Sequence, residues 1–414
     1  MKVVRTLSIC TLLLSLVTAA FALNPDRDIH QLAHRSWGEG DGYPGRAQAL
    51  AQATDGFLWI GSDIGLFRFD GVHFERYVPS SGDQLPEDRV HSLLALPDGS
   101  LWITYGTLGN GNKICFLRNG NVNCYGKADG VTSIPQAIVK DRKGTIWANT
   151  NTGVIRFNGT RWEHVGKDWN FPEDVPRATS TALFVDSRGT LWAGVNHTVL
   201  YLKRGSKRFE PTGTFAGYST SIAEAPDGTI WLADSNSYVR AISTSVSAKS
   251  AAMIKCEIEA PIGTPPKCPS EDPLVVKVRT VNDLIFDRNG SLWTATDSFG
   301  LTRVPHPERL RNQPISKNSD VLQEFASKDG LSADNCNPIL EDRERNIWVA
   351  TRDGLDQFRD TPLVPAALPT SIFQIAIAPA DGGDIWAAYS FNFVARIHGD
   401  SGDVSLVPFE AFKP

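Results

Sequence analysis

Eight tryptophans close eight copies of one short motif, and their spacing constrains the chain more than any other feature. They stand in "DGFLW" at Trp59, "DGSLW" at Trp102, "KGTIW" at Trp147, "RGTLW" at Trp192, "DGTIW" at Trp231, "NGSLW" at Trp293, "ERNIW" at Trp348 and "GGDIW" at Trp386. Successive copies lie 43, 45, 45, 39, 62, 55 and 38 residues apart, with a glycine three residues before every tryptophan except at Arg345. Self-similarity at a period of about forty residues is the mark of a repeat architecture.

Each copy reads as four strands. Short apolar segments such as "AQALAQAT", "HSLLAL", "QAIVKD", "TALFVD" and "NDLIFD" run into a turn whose glycine accepts a positive φ. The tryptophan strand follows, then a polar loop and a third strand such as "LFRF" or "VIRF". Asp70-Gly71, Asn119-Gly120 and Asn158-Gly159 then turn the chain into an outer strand such as "HFERY" or "RWEHV". One such unit cannot bury both faces, whereas units stacked radially bury tryptophan and β-branched side chains between neighbours. The expected fold is all-β, a β-propeller of seven or eight four-stranded blades over residues 23–414, eight motifs also fitting a seven-bladed ring with one further blade. An insert at about 243–281 accounts for the 62-residue spacing.

Residues 1–22 fall outside the repeats. Lys2 and Arg5 precede an apolar run from Leu7 to Val17 and a small-x-small site at Ala20-Phe21-Ala22, the pattern of a cleaved secretory signal peptide. The apolar run is too short to span a bilayer, so the mature chain is expected in the periplasm or outside the cell, with no membrane span. Losing Lys2 and Arg5 takes the net charge from −5 to −7. With basic residues scattered along the sequence and an acidic balance, no nucleic-acid partner is expected.

The stretch "HRSWGEGDGYPGRAQALAQATDGFLWIGSDIGLFRFDGVHFERY" (34–77), echoed in "DRKGTIWANTNTGVIRFNG" (141–159) and "DRERNIWVATRDGLDQF" (342–358), resembles the two-component regulator propeller repeats. These repeats form the periplasmic sensor region of bacterial hybrid histidine kinases. The resemblance implies sensing of a ligand outside the membrane. In that family two consecutive propellers are usually followed by a β-sandwich, a membrane helix and a kinase. Residues 23–414 hold repeats without the kinase part, so the expectation is a truncated sensor kinase, a stand-alone soluble relative, or a ligand-binding partner of a separate membrane histidine kinase. The sialidase-like propellers place an aspartate two residues before the turn glycine, an offset met here only at Asp381.

Cys115 and Cys124 flank "FLRNGNVN", and a two-residue Asn-Gly turn sets them opposite each other at a non-hydrogen-bonded position, where a cross-strand disulfide is allowed. Cys256 and Cys268 are expected to close the insert, and Cys336 to be a buried thiol. No Cys/His spacing matches a metal site, and no cofactor is expected.

In a propeller the loops between second and third strands, and those joining one blade to the next, open on one end of the central channel. The second-to-third loops are read to hold Asp63, Asn149, Asn151, Asn196, His197, Asp234, Asn236, Asp297, Arg352, Asp353 and Asn392. The blade-to-blade loops add Arg46, Glu87, Arg89, His91, Arg177 and Asn335, with Tyr43, Tyr105, Tyr218 and Tyr389 nearby to stack on a sugar. Short amides and carboxylates tolerate turn conformations, yet converging from many blades they make a polar funnel for a small-molecule or saccharide ligand. Catalysis would need paired carboxylates or a nucleophile with its base. The histidines are dispersed and no local triad motif occurs, so no catalytic residue is assigned. A secreted propeller glycosidase or lyase, and an interaction scaffold, are the alternatives to a binding module.

Overall fold

The computed structural model describes residues 23–414 apart from 108–109, 173–181, 196–197, 216–218, 235–237, 243–274, 278–280, 308–321, 362–367, 369–374, 390–392, 400–403 and 409–414. The signal-peptide reading, Cys256, Cys268, and most of the insert lie outside the described residues. So do Arg177, Asn196, His197, Tyr218, Asn236 and Asn392.

The described residues form eight antiparallel four-stranded sheets, and short 3-10 turns are their only helices. This is the β-propeller expected from the repeat. The innermost strands of seven sheets are Ala47–Gln52, Val90–Ala95, Pro135–Lys140, Leu183–Val185, Ser219–Glu224, Val281–Phe286 and Cys336–Glu341. Each packs on the next, and the last packs back on the first. We number these sheets as blades 1 to 7.

The tryptophans explain why the cycle holds. Trp59 packs with Val90 and Ile103 of blade 2, Trp102 with Ile138 and Ile146 of blade 3, and Trp147 with Leu183 and Leu191 of blade 4. The series continues with Trp192 on Ile222 and Leu232, Trp231 on Val281 and Leu284, and Trp293 on Ile339 and Ile347. Trp348 closes it on Ala47 and Leu58 of blade 1. All seven indoles are buried. Blades approach closely between these anchors: a Cβ built on Gly61 would fall 2.4 Å from Cγ1 of Val90.

The chain seals the ring with its own beginning. Ala33–Gly38 pairs with Gly354–Arg359 as the outer strand of blade 7, with Trp37 opposite Leu355. Trp37 stacks on Trp348 at 5.6 Å between ring centroids and meets Phe69 of blade 1 edge-on at 5.1 Å. The eighth sheet, with strands Ile375–Pro379, Ile385–Tyr389, Phe393–Ile397 and Val404–Pro408, has its extensive strand contacts within itself. Ile375, Ile377, Ile385 and Leu406 are accordingly exposed: among the described residues no blade stacks on them as blades stack in the ring.

A second regularity lies under the turn glycines. In blades 3, 4, 6 and 7 an aspartate six residues before the tryptophan accepts from its indole Nε1: Asp141 at 2.9 Å, Asp186 at 3.1 Å, Asp287 at 2.8 Å and Asp342 at 2.7 Å. The other carboxylate oxygen accepts turn amides, as Asp287 does from Asn289 at 3.0 Å and Ser291 at 2.9 Å. Arg345 adopts φ 68° in the turn where the other blades place glycine. Blades 1, 2 and 5 lack that aspartate; there Asp55, Asp98 and Asp227 cap the turn amide two residues on.

The outer hairpin of blade 2 follows its expected register. Asn119 and Gly120 both take positive φ, Cys115 faces Cys124, and the two form a disulfide with a Cα–Cα distance of 4.0 Å. Cys336 is a buried free thiol whose pKa burial pushes up.

Candidate functional site

The channel end that carries the second-to-third loops is organised by one repeated irregularity. In six of the seven inner strands the pairing slips just after the first residue: between Ala47 and Ala49, Val90 and Ser92, Pro135 and Ala137, Ser219 and Ser221, Val281 and Asp283, and Cys336 and Ile339. A bulge leaves its extra residue out of the ladder and re-aims it. The bulged residues are Gln48, His91, Gln136, Thr220, Asn282 and, beside Pro338, Asn337. All carry polar side chains, and apart from Ser219–Glu224 the strands are otherwise mostly apolar. The start of the blade 4 strand lies outside the described residues.

Backbone bonds tie the two loop sets together above these bulges. The amides of Asp63, Gly106, Asn151 and Arg352 donate to the carbonyls of Arg46, Arg89, Ile134 and Asn335, at 3.2, 3.1, 3.1 and 2.9 Å. Both loop sets therefore open on the same end of the strands.

Two sectors then bring predicted residues together across blade boundaries. Between blades 1 and 2, Oδ1 of Asp63 accepts from Nε2 of Gln48 at 3.0 Å and pairs with Nε of Arg89 at 2.9 Å. Glu87 pairs with Arg76 at 2.8 Å. His91 donates Nε2–H to the Gly106 carbonyl at 2.7 Å, and burial holds its pKa below the usual histidine value. Between blades 6 and 7, Nδ2 of Asn335 donates to Oδ1 of Asp297 at 2.6 Å, and Nδ2 of Asn282 to the Cys336 carbonyl at 3.0 Å. Beneath them Asp283 accepts from Ser221 Oγ at 2.7 Å and Ile339 N at 3.0 Å, joining blades 5, 6 and 7. Burial pushes the Asp283 carboxyl above the usual range.

Other predicted residues are placed differently. The side chains of Arg352 and Asp353 are largely exposed and 3.9 Å apart, and Arg352 meets the second sector through its backbone amide on the Asn335 carbonyl. Arg46 is exposed and joins the mouth through its carbonyl. Asp234 is the last residue of the strand Ile230–Asp234, opposite Ser219, and Tyr389 ends Ile385–Tyr389.

Asn149 is a correction. It lies within the strand Ile146–Thr150, is 1% exposed, and donates Nδ2 to the Ala182 carbonyl of blade 4 at 3.3 Å. Its shortness lets it reach the neighbouring backbone from the blade interface, so it holds blades together. Asn149→Ala should cost about 1–2 kcal/mol in equilibrium unfolding through the lost cross-blade bond. Asn151 likewise accepts from the Ile134 amide at 3.1 Å and fixes the lead-in to blade 3. Tyr43 and Tyr105 are also corrected: both are buried. The Tyr43 hydroxyl donates to the Thr351 carbonyl at 3.0 Å, and Tyr105 lies in the interface core of blades 1 and 2.

The bulge ring was the element that loop reasoning missed, His91 apart. Its signal is in the sequence: the second residue of "AQALAQ", "VHSLLA", "PQAIVK", "STSIAE", "VNDLIF" and "CNPILE" is polar every time. Among the described residues no group of three or more His, Cys, Asp or Glu is placed to hold a metal.

No family model matches the chain, and no curated protein does. Solved structures do. The extracellular domain of a hybrid two-component system protein of B. thetaiotaomicron superposes with a TM-score of 0.61 at 15% identity, over 90% of this chain and 49% of that one. The likeness is one of fold. A streptogramin B lyase matches at TM-score 0.53 and 14% identity, over 81% of this chain and 98% of the lyase. A third propeller, YCF48 from Cyanidioschyzon merolae, matches at 0.54 and 11%, over 79% and 98%. The chain thus spans about half the length of the two-component domains it matches. Among the described residues no helix is long and apolar enough to cross a membrane.

Proposed function

We propose that the protein is an extracytoplasmic sensing propeller that binds a small, hydroxyl-rich ligand at the channel mouth. The observation that carries this reading is the ring of polar bulge residues set just inside paired loops of adjoining blades. Amide side chains donate and accept at once, which suits hydroxyl groups and gives directional recognition without bond cleavage. Asp63 and Asp297 are each engaged by a guanidinium or an amide, an arrangement that orients a ligand better than it abstracts a proton. Because Tyr43 and Tyr105 belong to the core, a saccharide would be held by its hydroxyl edges rather than by stacking on these rings. The signal-peptide pattern and the fold likeness to extracellular two-component domains support an extracytoplasmic sensor, the second by analogy of fold alone. A membrane histidine kinase, in this chain's continuation or separate from it, is the output the reading implies. The eighth sheet is then a blade of a further ring, its apolar faces meant for neighbours.

Thermal-shift screening of oligosaccharides should yield a stabilising ligand, since a ligand that binds only the folded state raises apparent stability by mass action. Arg89→Ala with Asn335→Ala should weaken it by about tenfold or more, two polar contacts being lost. Unliganded stability should stay within about 1 kcal/mol, because the Arg89 pair is half-exposed. Binding equal to that of the unmodified protein would remove the mouth as the site.

A further inference from the structure

The opposite end of the ring carries a different chemistry between blades 3 and 4. A cleft of about 170 Å³ opens there between the turn after the inner strand of blade 3 and the outer turn of blade 4. Arg142, Lys143, Arg204 and Lys207 line it, together with Arg156, and the buried Trp169 forms part of its wall. The two turns approach across the first turn of blade 4: a Cβ on Gly189 of that turn would fall 3.1 Å from Arg142 Cδ and 3.3 Å from Arg204 Cδ, and one on Gly205 would fall 3.8 Å from Lys143 Nζ.

What sets this cleft apart is the missing counter-charge. At the equivalent turn position Arg288 donates to the Arg343 carbonyl at 3.1 Å, and Arg343 donates to the Ala53 and Thr54 carbonyls at 3.0 and 3.2 Å. Arg142 occupies the same place in "DRKG" but, among the described residues, the side chains of Arg142, Lys143, Arg204 and Lys207 have no carboxylate or carbonyl partner. Arg156 is paired with Glu163 at 2.7 Å and lies over Trp169 at 4.9 Å. Asp141, the acidic residue of the lining, is occupied by the Trp147 indole and its own turn amides. Four unpaired cations gathered in one cleft, in a chain whose net charge is −5, repel one another until an anion joins them. Guanidinium forks and ammonium groups together are the donors that sulfate and phosphate oxygens take best.

We propose that this cleft is a second ligand site, independent of the channel mouth, for a small molecule bearing a sulfate or phosphate ester. The oxyanion sits among Arg142, Lys143, Arg204 and Lys207, with the carrier directed outward from the Trp169 wall.

Calorimetric titration of the full chain at fixed ionic strength, with glucose 6-phosphate, glucose 6-sulfate and glucose as probes, tests it. At least one ester should bind about tenfold or more tightly than glucose, the anion adding charge-assisted bonds. Lys143→Glu with Arg204→Glu should weaken that ester by about thirtyfold or more. Arg118→Glu with Arg359→Glu, an equal change of net charge on blades 2 and 7, should change it by less than about threefold. If the double reversal does not fold, Lys143→Gln with Arg204→Gln replaces it, with a loss of about tenfold expected. Esters that bind no better than glucose, loss equal in both charge-reversed variants, or undiminished binding by the cleft variant would each overturn the site. None of these outcomes touches the mouth, whose variants lie at the other end of the blades.

Discussion

Asp287→Ala should cost about 3–5 kcal/mol in equilibrium unfolding, among the largest single-residue losses in the molecule. The carboxylate is 4% exposed and accepts from two backbone amides and from Nε1 of Trp293. Alanine strands three donors, and removing one partner of a buried charged network costs about 3–5 kcal/mol. Arg303 adds to the loss: it is fully buried, lies over Trp293 at 5.2 Å, and is held by the Arg27 and Asn24 carbonyls at 2.8 and 3.0 Å. Burial already pulls its pKa down while Asp287 opposes the fall. Asp55→Ala, at a turn where the exposed carboxylate caps one amide, should cost about 1 kcal/mol or less. Equal losses at the two positions would show that the indole contact contributes nothing.

Trp37→Ala should be comparably damaging, about 3–5 kcal/mol for emptying a buried indole site. It should also act on the ring as a whole. Trp37 sits on the strand that closes blade 7 and touches Phe69 of blade 1, so its loss loosens the point where the chain's beginning meets the last blade. Trp386→Ala, in the sheet outside the cycle, should leave the main unfolding transition in place. Melting followed by near-ultraviolet circular dichroism separates the two. An equal fall in the main transition for both variants would mean that the eighth sheet shares the ring's cooperative core.

The repeat was legible because each of the seven ring tryptophans does the same physical work at its blade interface, and a residue fixed by packing keeps its spacing. The Asn119-Gly120 turn and the Cys115–Cys124 pair were legible for a similar reason: a two-residue turn dictates the register beyond it. Seven blades could not be told from eight, because the motif at Trp386 matches the others while the outer strand of blade 7, "AHRSWG", precedes every repeat and pairs far away in sequence. Asn149 misled because a strand-end asparagine and a loop asparagine look alike until the neighbouring backbone is in place. The aspartates six residues before the tryptophans were visible, yet their reach to the indole depends on how the turn folds back. The basic cleft was hidden more completely. Its two turns, around Lys143 and Lys203, lie 60 residues apart, and charge that reads as scattered along the chain is gathered by the stacking of blades 3 and 4.

Hydrogen exchange measured with and without a stabilising oligosaccharide tests the central claim most directly, because it reports where the ligand sits whatever its affinity. A ligand at the channel mouth should slow exchange at the amides around Gln48, Asp63, His91 and Asn335, where the lead-in loops and bulges of blades 1, 2 and 7 meet, and leave the turns at 141–145 and 203–207 unchanged. Protection confined to those basic turns, or to the eighth sheet, would contradict a sensing site at the mouth.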